Sequence, residues 1–295
     1  MGLAAQEAAQ ALRAALGGTV VEENPHAFHV RATSLGDLRV ELDIRYVHPQ
    51  RDQVEMLPLR LGPRGAAWLG AALGGVVPHE LVTAPMAVDR LHEVDQAIDV
   101  LRRAGATGQG TTWLGSLGLH FNVDPPGLDA DRLTATLQAF LLLEPWLRQA
   151  CARGGARWPS FLPARYPAGY VRRVTAPDYR PDIVTFAADY LAANPSRDRG
   201  LDLLPILTHL DERQVRARLP REKIGARPVL HYRLPQAYVG EAGWSVAPDW
   251  ERWAAVERLA GDRDELIGLA RAYQAFTGSE TDWIERTRDV ALGTA

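Results

Sequence analysis

Cysteine and lysine are almost missing from this chain of 295 residues: Cys151 is its single thiol and Lys223 its single lysine, so 32 of the 33 basic residues are arginine. One cysteine excludes an internal disulfide framework and any zinc site built on several cysteines. One lysine means that a P-loop or a Schiff base must use Lys223 or be absent. Lys223 lies in a polar, proline-flanked stretch and reads as a surface residue. The bias toward arginine fits a GC-rich coding sequence. Long apolar runs are missing too: the strongest, Phe140 to Leu147, is interrupted by Glu144 and Pro145 and is too short to span a bilayer. The N-terminus lacks a basic start followed by an apolar stretch, so no signal peptide is read and a cytoplasmic protein without membrane contact is expected. A net charge of −3 supplies no basic field to recruit nucleic acid.

What the chain does contain is enough for a core. Hydrophobic residues make up 46% and charged residues 23%, which excludes a disordered or fibrous chain. One domain over 1–295 is expected, with the Gly- and Pro-rich stretch 154–181 read as irregular and as the weak candidate for a boundary. Helical spacing occurs at 3–16, 64–73, 88–104, from Asp129 to about 143, at 182–192, at 211–218 and through the C-terminal residues from Asp249. Pro145 is expected to end or kink the fourth of these. Trp250 and Trp253 face alike, and breaks are expected near Gly261 and Gly278. Strand-like runs occur at 19–22, 27–32, 38–47, 75–84, 116–124 and 228–235. Hairpin-like strands mixed with long helices predict an α+β fold: a mainly antiparallel sheet, helices on one face, and a helical C-terminus.

Alternation sorts the strand side chains into faces. In 38–47, Val40, Leu42, Ile44 and Tyr46 oppose Glu41, Asp43 and Arg45. In 116–124, Leu117, Leu119, Phe121 and Val123 oppose His120, Asn122 and Asp124, with Gly118 leaving room. In 228–235, Leu230, Tyr232 and Leu234 oppose His231 and Arg233. A solvated sheet face is the plain reading of any one strand. Together the three faces carry His, Asn, Asp, Glu and Arg, where Thr, Ser and Lys are usual. Carboxylates two apart on a strand repel unless a cation or arginine separates them. Glu41, Asp43 and Glu80 offer oxygen ligands to a hard cation such as Mg²⁺, and Arg233 offers a fork to a phosphate.

Other motifs carry less. Gly108-Gln109-Gly110 lacks the third glycine of a dinucleotide loop, and Gly115-Ser116-Leu117-Gly118 lacks the first glycine of a nucleophile elbow. His79-Glu80 and His92-Glu93 have no second histidine at zincin spacing. Cys151, just past a helix end, reads as packing or surface, and His26, His29, His48 and His209 as isolated.

The order and spacing of several segments resemble the amidoligases, a group related to glutamine synthetase and glutamate–cysteine ligase. They are LGDLRVELD at 35–43, PHELVTAP at 78–85, GLHFNVD at 118–124, LQAFLLLEPWLR at 137–148, NPSRDRGLDLLP at 194–205, PVLHYRLP at 228–235 and WSVAPDWERW at 244–253. The resemblance implies a curved sheet like that of the glutamine synthetase catalytic domain, whose concave face binds Mg-ATP, and an ATP-dependent carboxylate–amine ligase. It assigns Glu80 and His120 to metal or nucleotide, with Glu41, Asp43 and Asn122 as neighbours. It assigns Arg197 and Arg199 to phosphate and Arg233 to the transferred phosphoryl group. Two departures stand out. The family opens with a Glu-x-Glu strand, and Met1 falls where that strand ends, so the strand is expected upstream of Met1 or not at all. His231 stands where related ligases have glutamate in a Glu-x-Arg pair. The expected partners are a small-molecule or peptide carboxylate and an amine. Two other readings remain open: a non-catalytic descendant that binds a nucleotide or a partner protein, and a metal-dependent hydrolase using Glu41, Asp43 and His120. Trp158, Tyr166, Tyr170, Arg172 and Arg173 are read as a candidate substrate-side loop.

Overall fold

The computed structural model describes residues 3–42, 79–107, 118–152 and 162–293. The chain divides into two compact units, Met1–Leu117 with Ala237–Ala247, and Gly118–Gln236 with Pro248–Ala295. Among the described residues no helix is long and apolar enough to cross a membrane.

In the first unit, α1 (Ala5–Leu16) begins where Glu7 accepts the Ala4 N–H at 2.9 Å and ends at Gly17, whose φ of +78° suits glycine. Strands β1 (Thr19–Asn24), β2 (Ala27–Thr33), β3 (Gly36–Leu42) and β4 (His79–Thr83) follow as an antiparallel sheet in the order β1-β2-β3-β4. A 3₁₀ turn (Val88–Arg90) leads into α2 (Leu91–Arg103). The alternating apolar residues Phe28, Val30, Leu38 and Val40 pack against Leu12 of α1 and Leu101 of α2. Helices therefore cover one face of this sheet, as expected. The segment 237–247 is tied to α2: Asp95 accepts from Ser245 Oγ at 2.7 Å and from the Val246 N–H at 2.9 Å. The expected helix at 64–73 and the strand residues 43–47 and 75–78 lie outside the described residues.

In the second unit the strands are short. β5 (Phe121–Val123), β6 (Leu201–Asp202) and β7 (Leu230–Tyr232) form an antiparallel sheet in the order β5-β7-β6. The described residues thus form two antiparallel sheets, where one curved sheet was expected. The core is built on α3 (Ala130–Cys151), capped by Asp129, whose side chain accepts from the Arg132 N–H at 2.9 Å. Pro145 lies inside this helix and does not end it. Three contacts hold the helix past the proline. Trp283 Nε1 donates to the Leu142 carbonyl at 2.9 Å, Glu144 and Arg148 form a buried i,i+4 pair, and Arg148 reaches the Pro163 carbonyl at 2.7 Å. Cys151 is the last residue of α3 and is buried, with its thiol pushed up to about 12 by burial.

The stretch expected to be irregular contains α4 (Ala168–Val174). Tyr166 and Tyr170 belong to the core rather than to a loop: both are buried, and their rings stack 5.9 Å apart. Further helices are α5 (Ile183–Ala193), α6 (Leu204–Leu210), α7 (Glu212–Arg218), α8 (Ala247–Gly261), α9 (Arg263–Gln274) and α10 (Glu280–Leu292). Trp250 and Trp253 do share a face: they pack on Phe121 and Tyr232 at 5.6 and 5.2 Å between ring centroids. Lys223 is only partly exposed and its Nζ is buried, so it is not the surface residue that its polar neighbours suggested.

Gly18 tests the first unit. Its φ is +89°, and a Cβ there would overlap the carbonyl oxygen of Arg31. Gly18→Ala is expected to cost about 2–4 kcal/mol, against about 1–2 kcal/mol for Gly17→Ala, which has the positive φ without the overlap. Urea titration of both variants checks the difference.

Candidate functional site

The face of the first sheet opposite α1 and α2 carries charge. The β3–β4 register sets Glu41 directly opposite Glu80, and the β2–β3 register sets Arg39 opposite His29. Glu41 is buried and forms an ion pair with Arg39, Nε to Oε2 3.1 Å, while Glu80 is exposed. His29 is not isolated: its Nε2 lies 3.1 Å from Glu23 Oε2. Alternation within 75–84 could not place Glu80, and cross-strand register does. Two carboxylates directly opposite one another repel, and the Arg39 guanidinium beside Glu41 offsets part of that repulsion. Asp43 lies outside the described residues. Among the described residues no group of three or more His, Cys, Asp or Glu side chains is arranged to hold a metal. Magnesium is commonly held by one or two carboxylates together with substrate phosphates and water, so the Glu41–Glu80 pair has suitable donor chemistry.

The second unit places its polar groups on the face opposite its apolar side. Phe121 pairs with Tyr232, and Tyr232 with Leu201, on the core side; Asn122 pairs with His231, and His231 with Asp202, on the other. Gly118 makes room for His120, since a Cβ there would lie 2.7 Å from the ring Nε2. The His120 and His231 rings meet edge to face with centroids 5.1 Å apart. Asp202 has no exposed surface, and its Oδ2 lies 3.3 Å from Arg197 Nε and 3.5 Å from His231 Nδ1. The first contact is a hydrogen bond; the second is too long for a good one. Arg233 donates from Nη1 to the Arg197 carbonyl at 2.6 Å, and its N–H donates to the Gly200 carbonyl at 2.8 Å. Its Nε is buried without a hydrogen-bond partner among the described residues.

Arg199 turns elsewhere. Its Nε donates to Asn194 Oδ1 at 2.8 Å, and its guanidinium lies 5.6 Å from the centroid of the Tyr166 ring. The structure therefore gathers His120, Asn122, His231, Arg197 and Arg233 and separates Arg199 from them. A groove of about 510 Å³ elsewhere in this unit is lined by Leu128, Val184, Leu210 and the capping residues Asp129, Asp182 and Asp211, and none of the candidate site residues lines it.

A family model described as "putative amidoligase enzyme" matches residues 1–255. The chain belongs to the amidoligase family. Comparison with curated proteins gives no match, and comparison with solved structures gives none. All the residues that the resemblance singled out lie within the region that the amidoligase model matches. Asp202 is the main residue that sequence reasoning missed. Its signal was a lone carboxylate inside the apolar run Leu201 to Leu204, where only a buried, hydrogen-bonded acid belongs.

The electrostatics of this face suit an anion. His120 keeps solvent contact, yet the surrounding protein strips hydration from its ring, and His231, Arg233 and Arg197 act in the same direction, taking its pKa down to about 3. Burial also lowers the pKa of His231, against the opposing pull of Asp202. Both imidazoles are therefore neutral near pH 7, and the charge on the face comes from guanidinium groups.

A depressed histidine pKa means that the unfolded chain takes up protons before the folded one does. The stability contributed by neutral His120 is thus complete above about pH 6.5 and declines as pH falls from there toward about 3. NMR titration is expected to show no protonation of His120 above pH 5. His120→Gln is expected to flatten the acid side of the stability–pH profile relative to the unsubstituted protein.

Proposed function

We propose that this amidoligase is an ATP-dependent carboxylate–amine ligase working through an acyl phosphate. The observation that carries the reading is the second unit's polar face: two guanidinium groups and two neutral imidazoles in one cross-strand cluster, within a chain of the amidoligase family. In the proposed reaction an oxygen of the substrate carboxylate attacks the γ-phosphorus of ATP. The bond from that phosphorus to the β–γ bridging oxygen breaks, and ADP leaves. The amine nitrogen then attacks the acyl carbon, the carbon–oxygen bond to phosphate breaks, and inorganic phosphate departs as the amide forms. The amine gives up a proton in this step to a base that this reading does not name.

The chain's contribution is positioning and charge rather than a covalent nucleophile. Arg197 and Arg233 hold phosphoryl oxygens and offset the charge that develops on them. Neutral His120 and Asn122 supply hydrogen bonds without adding charge. Within the first unit, Glu41 and Glu80 would offer carboxylate oxygens to Mg²⁺, an ion that neutralises phosphate charge when bound. The buried Cys151 thiol is unsuited to nucleophilic attack, in keeping with a mechanism that needs none.

His231 favours a second reading. A neutral imidazole in place of the family's glutamate removes one anionic oxygen, which suits a descendant that binds nucleotide without turning it over. Two measurements separate the readings. The ligase is expected to release ADP only when ATP, a carboxylate and an amine are all present. Nucleotide binding by calorimetry without any release of ADP across broad carboxylate and amine pools would favour the descendant. Arg233→Lys keeps the charge but loses the fork, and is expected to lower kcat/KM for ATP by about 100-fold with the fold retained by circular dichroism.

A further inference from the structure

Both carboxylate oxygens of Asp202 are engaged. Oδ1 accepts the Leu204 N–H at 2.9 Å, and Oδ2 accepts the Arg197 Nε–H at 3.3 Å. The strand that carries it has only two residues, so its ladder alone does little to fix the side chain. Two core tyrosines hold the flanking backbone instead. The Tyr190 hydroxyl accepts the Leu203 N–H at 3.1 Å, and the Tyr166 hydroxyl donates to the Leu201 carbonyl. Arg197 is held twice, by Asp202 at Nε and by the Lys223 carbonyl, which accepts from Nη1 at 3.0 Å. That leaves Nη2 as the guanidinium nitrogen with no partner among the described residues. We infer that Asp202, held in place by Tyr166 and Tyr190, is the positioning residue that aims the Nη2 end of the Arg197 guanidinium at a polyphosphate ligand on this face. The inference deepens the phosphate-binding role proposed above and rests on that reading.

The sign of one substitution separates positioning from simple charge. Asp202→Asn removes a negative charge beside arginine, and Coulomb attraction alone then makes an anion bind more tightly. Positioning gives the opposite result. The new amide must set its NH₂ group against one of two donors, the guanidinium or the Leu204 N–H, and an arginine whose anchor is displaced samples many rotamers.

The test uses the full chain and tripolyphosphate as the probe, titrated calorimetrically at fixed ionic strength. Asp202→Asn is expected to weaken binding about tenfold or more, the scale of a charge-assisted hydrogen bond. Tyr190→Phe, which keeps the ring and removes only the hydroxyl, is expected to weaken it severalfold. In both variants the Arg197 Nε–H signal is expected to lose its protection from solvent exchange. Equal or tighter binding by Asp202→Asn overturns the inference, as does a wild-type chain that binds no tripolyphosphate. If Asp202→Asn does not fold, Tyr190→Phe decides: unchanged binding with an unchanged Arg197 signal overturns the inference. The ligase reading fails separately, when the wild type binds tripolyphosphate but turns over no ATP with any carboxylate and amine.

Discussion

A carboxylate shut away from water costs several kcal/mol unless donors meet its oxygens, and Asp202 has no exposed surface at all. Its donors come from two directions: the Leu204 N–H at the start of α6, and the guanidinium of Arg197 in the loop before β6. That one requirement links several elements. It holds Arg197 in place, and the Arg197 carbonyl in turn accepts from Nη1 of Arg233, the residue just after β7. The backbone on either side of Asp202 is fixed by Tyr166 and Tyr190, whose rings belong to the apolar core. Core packing on one side of a short sheet therefore decides where charge stands on the other.

The first unit follows the same rule with different chemistry. Its sheet buries Phe28, Val30, Leu38 and Val40 beneath α1 and α2, and the opposite side is left to Glu23, His29, Arg39, Glu41 and Glu80. Here acids stand beside bases, Glu23 beside His29 and Glu41 beside Arg39. In the second unit arginine dominates, and one buried acid answers it.

Where a strand was long enough to alternate, its sequence told the face of every side chain. Glu41, His120, Asn122, His231 and Arg233 were legible in this way, because apolar residues at every second position left no other side for them. Glu80 was not, since its strand is apolar on both sides and only the pairing with β3 shows that it meets Glu41. Asp202 was hidden by length: two residues cannot display a period. Local propensity misled where tertiary contacts outweighed it. Pro145 argued for a break in α3, yet the buried Glu144–Arg148 pair and the Trp283 indole hold the helix through it. Glycines and prolines hid α4, whose neighbouring Tyr166 and Tyr170 looked like loop aromatics and are core. Both were misjudged for one reason, that burial is a property of partners distant in sequence.

His231 follows from the same balance. A glutamate at this position would stand cross-strand from Asp202, two carboxylates side by side in a place that already buries one. Such a pair repels unless a cation stands between them. An imidazole relieves the repulsion, and because burial keeps it neutral it adds no charge to compete with Arg197 or Arg233 for an anion. The histidine and the buried aspartate are therefore compatible neighbours. The acid of this face stands on the neighbouring strand, beside Arg197, and His231 on β7 is neutral. A face built in that way, positive through arginine and neutral at its imidazoles, suits a ligand that brings its own negative charge.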